Sequence, residues 1–147
     1  MGIMLNKDEK RESMRRCRLF AKLEPSTLSV LAEVMEEERF TEGEEVCEAG
    51  ETAERVYLIH QGELSVFLPN AQEPVRQMGA GEVFGEYGLV TGTRTTTIRA
   101  ARDTVMLSMD YERFREFLLR YPTALLENFK LTVRRLTEAE AKLRDKS

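Results

Sequence analysis

The chain has 147 residues, a length typical of one domain with a few appended helices. Its net charge of -4 argues against general nucleic-acid binding, which depends on clustered Lys and Arg. No apolar run approaches the roughly 20 residues that a membrane-spanning helix needs. We therefore expect a soluble, cytoplasmic globular protein in which Cys17 and Cys47 stay reduced, because their spacing forms no C-x-x-C motif.

The N-terminal part of the chain is predicted to be helical. Residues 1–18 should form a charged helical segment, because acidic and basic side chains are interspersed there as on a solvated helix face. Over residues 19–35 apolar side chains recur at helical spacing, and Pro25 marks a new helix start, so two helices should precede the strands. The acidic run that follows, residues 36–48, lacks the spacing of a calcium loop and is expected to be solvated surface.

The middle of the chain is predicted to be all-β. Eight of the nine glycines fall between residues 43 and 92, separated by short runs rich in Val, Ile, Leu, Phe and Tyr. This pattern is typical of a sandwich or barrel of about eight strands. Residues 56–60 and 63–68, joined at Gly62, are interpreted as a β-hairpin. Other strands are expected near Val46 and over residues 75–78, 95–101 and 105–109.

Helices are predicted again after the strands. Asp110 fits the N-cap of a helix, and Tyr121 followed by Pro122 should end that helix and open another. The last helix carries an apolar stripe composed of Leu125, Phe129, Val133, Leu136 and Leu143. Such a stripe needs a partner, which is either the β domain or a second copy of the chain.

Several kinds of active site are disfavoured by the residues present. His60 is the only histidine, so the chain lacks the several histidines of a cupin-type metal centre, and His60 is interpreted as a polar residue at a strand end. Residues 79–85 hold three glycines, but the third comes one position too late for a dinucleotide fingerprint. The chain contains no P-loop or G-x-S-x-G motif. An acid-base pair of Glu82 and Glu86 stays open, but we expect no enzyme activity, metal or cofactor.

One pairing in the glycine-rich region has the chemistry of a nucleotide site. Glu86 stands eight residues before Arg94 in a segment opened by Gly85. An ionised carboxylate is acceptor-only and suits a ribose hydroxyl, whereas a guanidinium matches two phosphate oxygens at once. Gly85 and Gly88 permit close backbone approach, and a short helix starting at Glu86 would aim free N–H groups at an anion. The alternative is an exposed Glu86–Arg94 ion pair of little energetic value.

The residues around this pair resemble a known family. The order Phe-Gly-Glu, Gly-Leu and Arg-Thr, followed by an apolar strand, is similar to the phosphate-binding cassette of the cyclic nucleotide-binding domain family, as in catabolite activators and protein kinase regulatory subunits. The similarity in order and spacing covers residues 19–136, about four fifths of the chain. It implies a mainly β fold with flanking helices, namely a jelly-roll-like β-roll (double-stranded β-helix) with N-terminal helices and C-terminal lid helices.

The resemblance also implies a role for each residue of the candidate site. Arg94 and the backbone N–H groups around Gly85 would hold the cyclic phosphate, Glu86 would accept a hydrogen bond from the ribose 2'-hydroxyl, and Thr95 would lie against phosphate and purine. Further expected site residues are the pocket-lining Val83, Phe84 and Leu89, their neighbours Tyr87, Gly88 and Thr96, and the lid candidates Arg134 and Arg135.

Two features depart from the common form of that family. The loop of residues 90–93 is one residue shorter than in the common form of the family. Whether Arg94 reaches the phosphate therefore depends on the path of this loop. Thr96 stands where alanine is more usual. No helix-turn-helix is expected after the last helix.

The sequence is therefore interpreted as a non-catalytic sensor. Residues 19–136 would bind cAMP or cGMP, residues 1–18 would precede this domain, and residues 137–147 would end the last helix. Ligand would favour a closed arrangement in which the last helices cap the pocket. The alternative is a domain of the same fold with an empty pocket, acting as a structural or protein-interaction element. The expected macromolecular partner is an effector domain or a second copy of the chain, bound through the last helix.

Overall fold

Two short helices open the computed structural model, which describes residues 4–146. Helix α1 spans Lys7–Arg15 and starts at a capping box, in which the side chains of Asn6 and Glu9 each accept a hydrogen bond from the other's backbone N–H. Helix α2 spans Pro25–Val34 and has proline in its first turn. Two helices thus precede the strands, but only α2 lies within residues 19–35, whose spacing had predicted both.

The segment between these helices corrects the sequence prediction. Leu19, Phe20 and Leu23 recur at helical spacing, yet residues 16–23 form successive turns. Backbone N–H groups bond three residues back, from Phe20 to Cys17 and from Leu23 to Phe20. Leu19 and Phe20 are buried, so their spacing reflects burial in tight turns and not a helix.

Within residues 4–146, eight strands form two antiparallel four-stranded sheets, as the glycine pattern predicted. The strands are β1 (Glu36–Phe40), β2 (Glu45–Cys47), β3 (Arg55–Gln61), β4 (Glu63–Phe67), β5 (Arg76–Gly79), β6 (Val83–Phe84), β7 (Thr97–Ala100) and β8 (Thr104–Asp110). One sheet has the order β1-β8-β3-β6 and the other the order β2-β7-β4-β5. The predicted mainly β fold with flanking helices is confirmed.

The predicted hairpin is wrong, although its two strands are present. β3 pairs with β6 and β8, whereas β4 pairs with β5 and β7, so the chain passes from one sheet to the other at Gly62. A single residue is too short a loop to fold β4 back onto β3. Gly62 has a φ of +114°, and a Cβ there would lie 2.4 Å from Thr104 Oγ1. β3 and β4 instead run along β8 and β7 as one bent ribbon that crosses both sheets.

The first part of the acidic run, residues 36–40, forms the edge strand β1, so the expectation of solvated surface is wrong for Glu37 and Glu38, whereas the later glutamates, Glu42, Glu44, Glu45 and Glu48, are exposed as expected. β1 pairs with β8 along its whole length. The side chain of Glu37 is only 3% exposed and accepts hydrogen bonds from the Leu5 N–H and the Arg39 guanidinium. Glu38 accepts a hydrogen bond from the Ser108 hydroxyl. Because these carboxylates have partners, a polar sequence can form a partly buried strand here.

The C-terminal helices follow the prediction. Helix α4 spans Tyr111–Arg120, and Asp110 caps it by accepting a hydrogen bond from the Arg113 N–H at 2.9 Å. Helix α5 spans Pro122–Lys146. Tyr121 separates the two helices, because the residue before a proline is biased away from helical conformation. Among residues 4–146, no helix combines the length and apolar character needed to cross a membrane.

The hydrophobic core lies on both faces of the β1-β8-β3-β6 sheet. The helices pack on its outer face, where Leu107 and Phe114 are fully buried. The space between the two sheets is filled by a second cluster that includes Ile59 and Met106. Met106 and Leu107 serve different clusters because consecutive residues of a strand point to opposite faces. The connection from β6 to β7 crosses between the sheets, and this connection carries the predicted site.

Candidate ligand-binding site

Two glycines in the β6–β7 connection allow other elements to approach its backbone. The connection includes a short helix, α3, which begins at Gly88. Gly85 has a φ of +93°, and a Cβ there would lie 2.6 Å from Arg94 Nη1. A Cβ at Gly88 would lie 2.1 Å from the Tyr111 hydroxyl. Any larger residue at either position would displace these side chains.

Arg94 is held against this backbone by a chain of hydrogen bonds. Its Nη2 donates to the Arg55 carbonyl oxygen at 2.8 Å, and its Nη1 donates to the Tyr111 hydroxyl at 3.2 Å. The Tyr111 hydroxyl in turn donates to the Gly85 carbonyl oxygen at 2.5 Å. The guanidinium also lies 5.6 Å from the centre of the Tyr57 ring. Arg94 is thus fixed beside Gly85.

The short loop before Arg94 is anchored from outside the connection. The Arg94 N–H donates to the Glu51 carbonyl oxygen at 2.8 Å, and the Arg94 carbonyl oxygen accepts from the Gly50 N–H at 2.9 Å. These bonds place the Arg94 backbone on the β2–β3 connection. Residues 90–93 therefore bring the guanidinium to Gly85 despite their reduced number.

Glu86 is buried and pairs with α5. One of its carboxylate oxygens accepts a hydrogen bond from Arg135 Nη1, while Arg135 Nη2 donates to the Val83 carbonyl oxygen. The side chains of Glu86 and Arg135 are 1% and 8% exposed. Burial, together with the charge of Arg76, lowers the pKa of Arg135 to about 10, so it is still protonated at pH 7. The alternative of an exposed Glu86–Arg94 pair is wrong.

The second oxygen of the Glu86 carboxylate has no protein partner. Glu86 Oε2 is buried and makes no hydrogen bond with any of residues 4–146. A carboxylate oxygen in this position usually has a partner, since leaving a buried charged acceptor unpaired costs free energy. Glu86 therefore retains the capacity to accept a hydrogen bond from another group.

Free backbone donors lie next to Arg94. Within residues 4–146, the N–H groups of Gly85, Glu86 and Tyr87 donate no backbone hydrogen bond. They precede α3, which starts at Gly88 and not at Glu86 as predicted. Together with the Arg94 guanidinium, these donors form a small surface suited to an oxyanion.

A cavity of about 50 Å³ separates this surface from α5. The predicted site residues on its wall are Phe84, Gly85, Tyr87, Gly88, Arg94, Thr95, Thr96 and Arg135. Val83 and Leu89 do not line it, because both pack into the core under the helices. The expectation that Val83 lines the pocket with Phe84 fails because the two are consecutive in β6 and point to opposite faces.

Two contacts of the site could not be predicted from local spacing. Tyr111 is 26 residues from Gly85, and Arg135 is 49 residues from Glu86. The only signal for Tyr111 is an aromatic residue directly after a helix N-cap. Arg135 was predicted as a lid residue together with Arg134, but the structure places only Arg135 on the cassette and leaves Arg134 exposed.

Comparison with known proteins identifies the family. The model described as "Cyclic nucleotide-binding domain" matches residues 37–121, which is more than half of the chain. The chain belongs to the cyclic nucleotide-binding domain family. The matched part of this cyclic nucleotide-binding domain contains the cassette, Arg94 and Tyr111, but it ends before Arg135.

Proteins similar to this domain include cyclic nucleotide-gated channels and a catabolite activator protein. Cyclic nucleotide-gated channel alpha-4 from Mus musculus is 27% identical over 119 residues, covering 76% of this chain and 21% of the channel. A cyclic nucleotide-gated potassium channel from Mesorhizobium japonicum is 33% identical over 92 residues, covering 62% of this chain and 25% of the channel. The catabolite activator protein of Thermus thermophilus has a TM-score of 0.75 and 25% identity, covering 86% of this chain and 61% of that structure. The chain thus spans about a fifth to a quarter of the length of these channels.

Proposed function

We propose that this domain binds a cyclic nucleotide, cAMP or cGMP, and responds to it without changing it chemically. The observation that carries the proposal is the position of Arg94 beside the free N–H groups of residues 85–87, next to the buried acceptor Glu86. Arg94 and these N–H groups would hold the cyclic phosphate. Glu86 would accept the ribose 2'-hydroxyl, and Thr95 would lie beside phosphate and purine. Membership of the family and the cyclic nucleotide-gated relatives support this proposal.

Binding would require α5 to move. The cavity beside the cassette holds about 50 Å³, whereas small-molecule pockets usually hold about 300 Å³ or more. Arg135 also holds one oxygen of the Glu86 carboxylate and forms part of the wall of this small cavity. The ligand would therefore displace Arg135 from Glu86, so the response would begin with release of α5 and not with closure of an open lid. Any contact that holds α5 in its present position would therefore weaken ligand binding. By reciprocity, bound ligand would weaken that contact by the same factor.

Calorimetry with cAMP and cGMP tests the proposal directly. Wild-type protein should bind at least one of them saturably, and Arg94→Ala should lose about 2 to 5 kcal/mol of binding free energy, as expected when a charged hydrogen-bonding partner is removed. Arg99→Ala is the matched control, because Arg99 is exposed on β7, lies over the Phe67 ring and does not line the cavity. Equal affinities of the two variants would show that the ligand does not use the cassette.

The runner-up function is a domain of the same fold that binds no nucleotide and serves as a structural or docking element. The observation that favours it is the small cavity, together with the occupation of Glu86 by Arg135. Under this function neither nucleotide would give heat in calorimetry, whatever the state of Arg94.

We further propose that α5 contacts a second copy of the chain. Its outer face carries exposed apolar side chains at alternating spacings of three and four residues, namely Leu126, Phe129, Val133 and Leu136, with Leu143 one heptad further on. This spacing is typical of helices that pair with another helix along an apolar seam. Movement of α5 on ligand binding would then alter the contact between the two copies.

A further inference from the structure

A second and larger cavity lies on the other side of Arg135. It holds about 280 Å³ and is lined by residues 16–19, by the β5–β6 turn at residues 80–82 with Val83 of β6, and by α5. Among the residues that the structure describes, Arg135 alone lines both this cavity and the one beside the cassette. The wall of the larger cavity contains four arginines, Arg16, Arg18, Arg134 and Arg135.

The acidic residues on this wall, Glu82 and Glu127, form no ion pair with its arginines within residues 4–146. Glu82 accepts a hydrogen bond from the Gly79 N–H at 2.7 Å. Glu127 forms ion pairs with Lys22 at 3.6 Å and Lys130 at 3.5 Å. Of the four arginines, Arg135 is paired with Glu86, whereas Arg16, Arg18 and Arg134 form no ion pair within residues 4–146, so the wall keeps an excess of positive charge.

The other polar groups here add no negative charge. Within the described part of the chain, Arg18 and Arg134 make no hydrogen bond or ion pair. Arg16 donates to the carbonyl oxygen of His60 at 3.4 Å. Burial of the His60 ring and the positive charge of Arg16 both lower the pKa of His60, so His60 is neutral at pH 7. Burial raises the pKa of Cys17 to about 11, so its thiol stays protonated.

We infer that this cavity binds a small phosphate-bearing anion, at a site separate from the cassette. Arg16, Arg18 and Arg134 lie on one wall without carboxylate partners and repel one another, and a bound anion would reduce that repulsion. Guanidinium groups match phosphate oxygens in pairs, which favours a phosphate over a monovalent anion. The volume of about 280 Å³ limits the ligand to the size of a phosphorylated small metabolite.

Titration with inorganic pyrophosphate, followed by calorimetry and by amide NMR, tests this inference. We expect saturable binding and chemical-shift changes at residues 80–82. The double variant Arg18→Gln/Arg134→Gln should weaken binding at least tenfold. The control double variant Arg115→Gln/Arg120→Gln removes the same charge from exposed positions of α4 and should bind like wild type. Thermal melts of both variants check that they are folded.

The outcomes separate this site from the cassette and from general charge attraction. Arg94→Ala should bind pyrophosphate as wild type does, and loss of binding in that variant would place the anion in the cassette and overturn the inference. Equal weakening in the two double variants would reduce the effect to net charge and would also overturn it. Absence of saturable binding, or shift changes confined to residues 85–87, would overturn it without any variant.

Discussion

A buried ion pair between Glu86 and Arg135 holds α5 against the candidate site. Removing one partner of such a pair leaves an uncompensated buried charge. Arg135→Gln should therefore lower the free energy of unfolding by about 3 kcal/mol, measured by chemical denaturation. Arg134→Gln is the matched control, because Arg134 is the exposed neighbour on the same helix, and it should change stability by less than about 0.5 kcal/mol.

The same variant also tests the competition proposed between Arg135 and the ligand. Because Arg135→Gln releases the Glu86 carboxylate, cAMP or cGMP should bind more tightly than to wild type, as measured by calorimetry. The double variant Glu86→Gln/Arg135→Gln should recover part of the lost stability, since no buried charge remains, yet it should bind ligand less tightly than the single variant. An affinity of Arg135→Gln at or below that of wild type would contradict the competition.

At the scale of the elements, the passage from β3 to β4 depends on Gly62. An added Cβ there would meet Thr104 Oγ1 at 2.4 Å in addition to the strain of a positive φ. Gly50 has a similar φ of +94°, but nothing lies within 4 Å of its Cβ position. Gly50→Ala should therefore cost about 1 to 2 kcal/mol from backbone strain alone. Gly62→Ala should cost clearly more, as judged by denaturant midpoints, and equal costs would mean that Thr104 moves aside freely.

The exposed face of α5 predicts self-association of the chain. Phe129, at 65% exposure, lies in the middle of the seam that runs from Leu126 to Leu143. Phe129→Glu should convert a dimer into a monomer in analytical ultracentrifugation, because a charge in an apolar seam is poorly solvated. Leu119→Glu is the control, since Leu119 is 71% exposed on α4 and lies outside the seam. A monomeric wild-type protein at high concentration would contradict the prediction.

At the scale of the whole molecule, ligand binding should raise the thermal stability of the domain. A ligand present at about 100 times its dissociation constant stabilises the folded state by about 2.7 kcal/mol. For a domain of this size each kcal/mol raises the melting temperature by roughly 2 to 4 °C, so a shift of several degrees is expected with cAMP or cGMP. Arg94→Ala should show a much smaller shift under the same conditions. A folded wild-type protein whose melting temperature ignores both nucleotides would favour the runner-up function.

Local chemistry in the sequence determined much of the fold. Asp110 caps α4, Pro122 starts α5, and the glycine pattern marks a domain of eight strands, because each of these signals acts within a few residues. The same reasoning identified Gly85 and Arg94 as neighbours in one site, since a glycine turn and a guanidinium share the chemistry of a phosphate contact. These motifs predicted membership of the cyclic nucleotide-binding domain family, which the family model confirms.

Only the tertiary structure decided which groups those residues meet. The sequence could not assign β3 and β4 to different sheets, nor place Val83 in the core beside a cavity-facing Phe84, because strand neighbours and strand faces depend on contacts far along the chain. Glu86 meets Arg135 across 49 residues, a distance at which no local periodicity links the two. The sequence by itself thus determined what chemistry the site contains, whereas the packing of α5 determined that one oxygen of the Glu86 carboxylate is already bonded to Arg135.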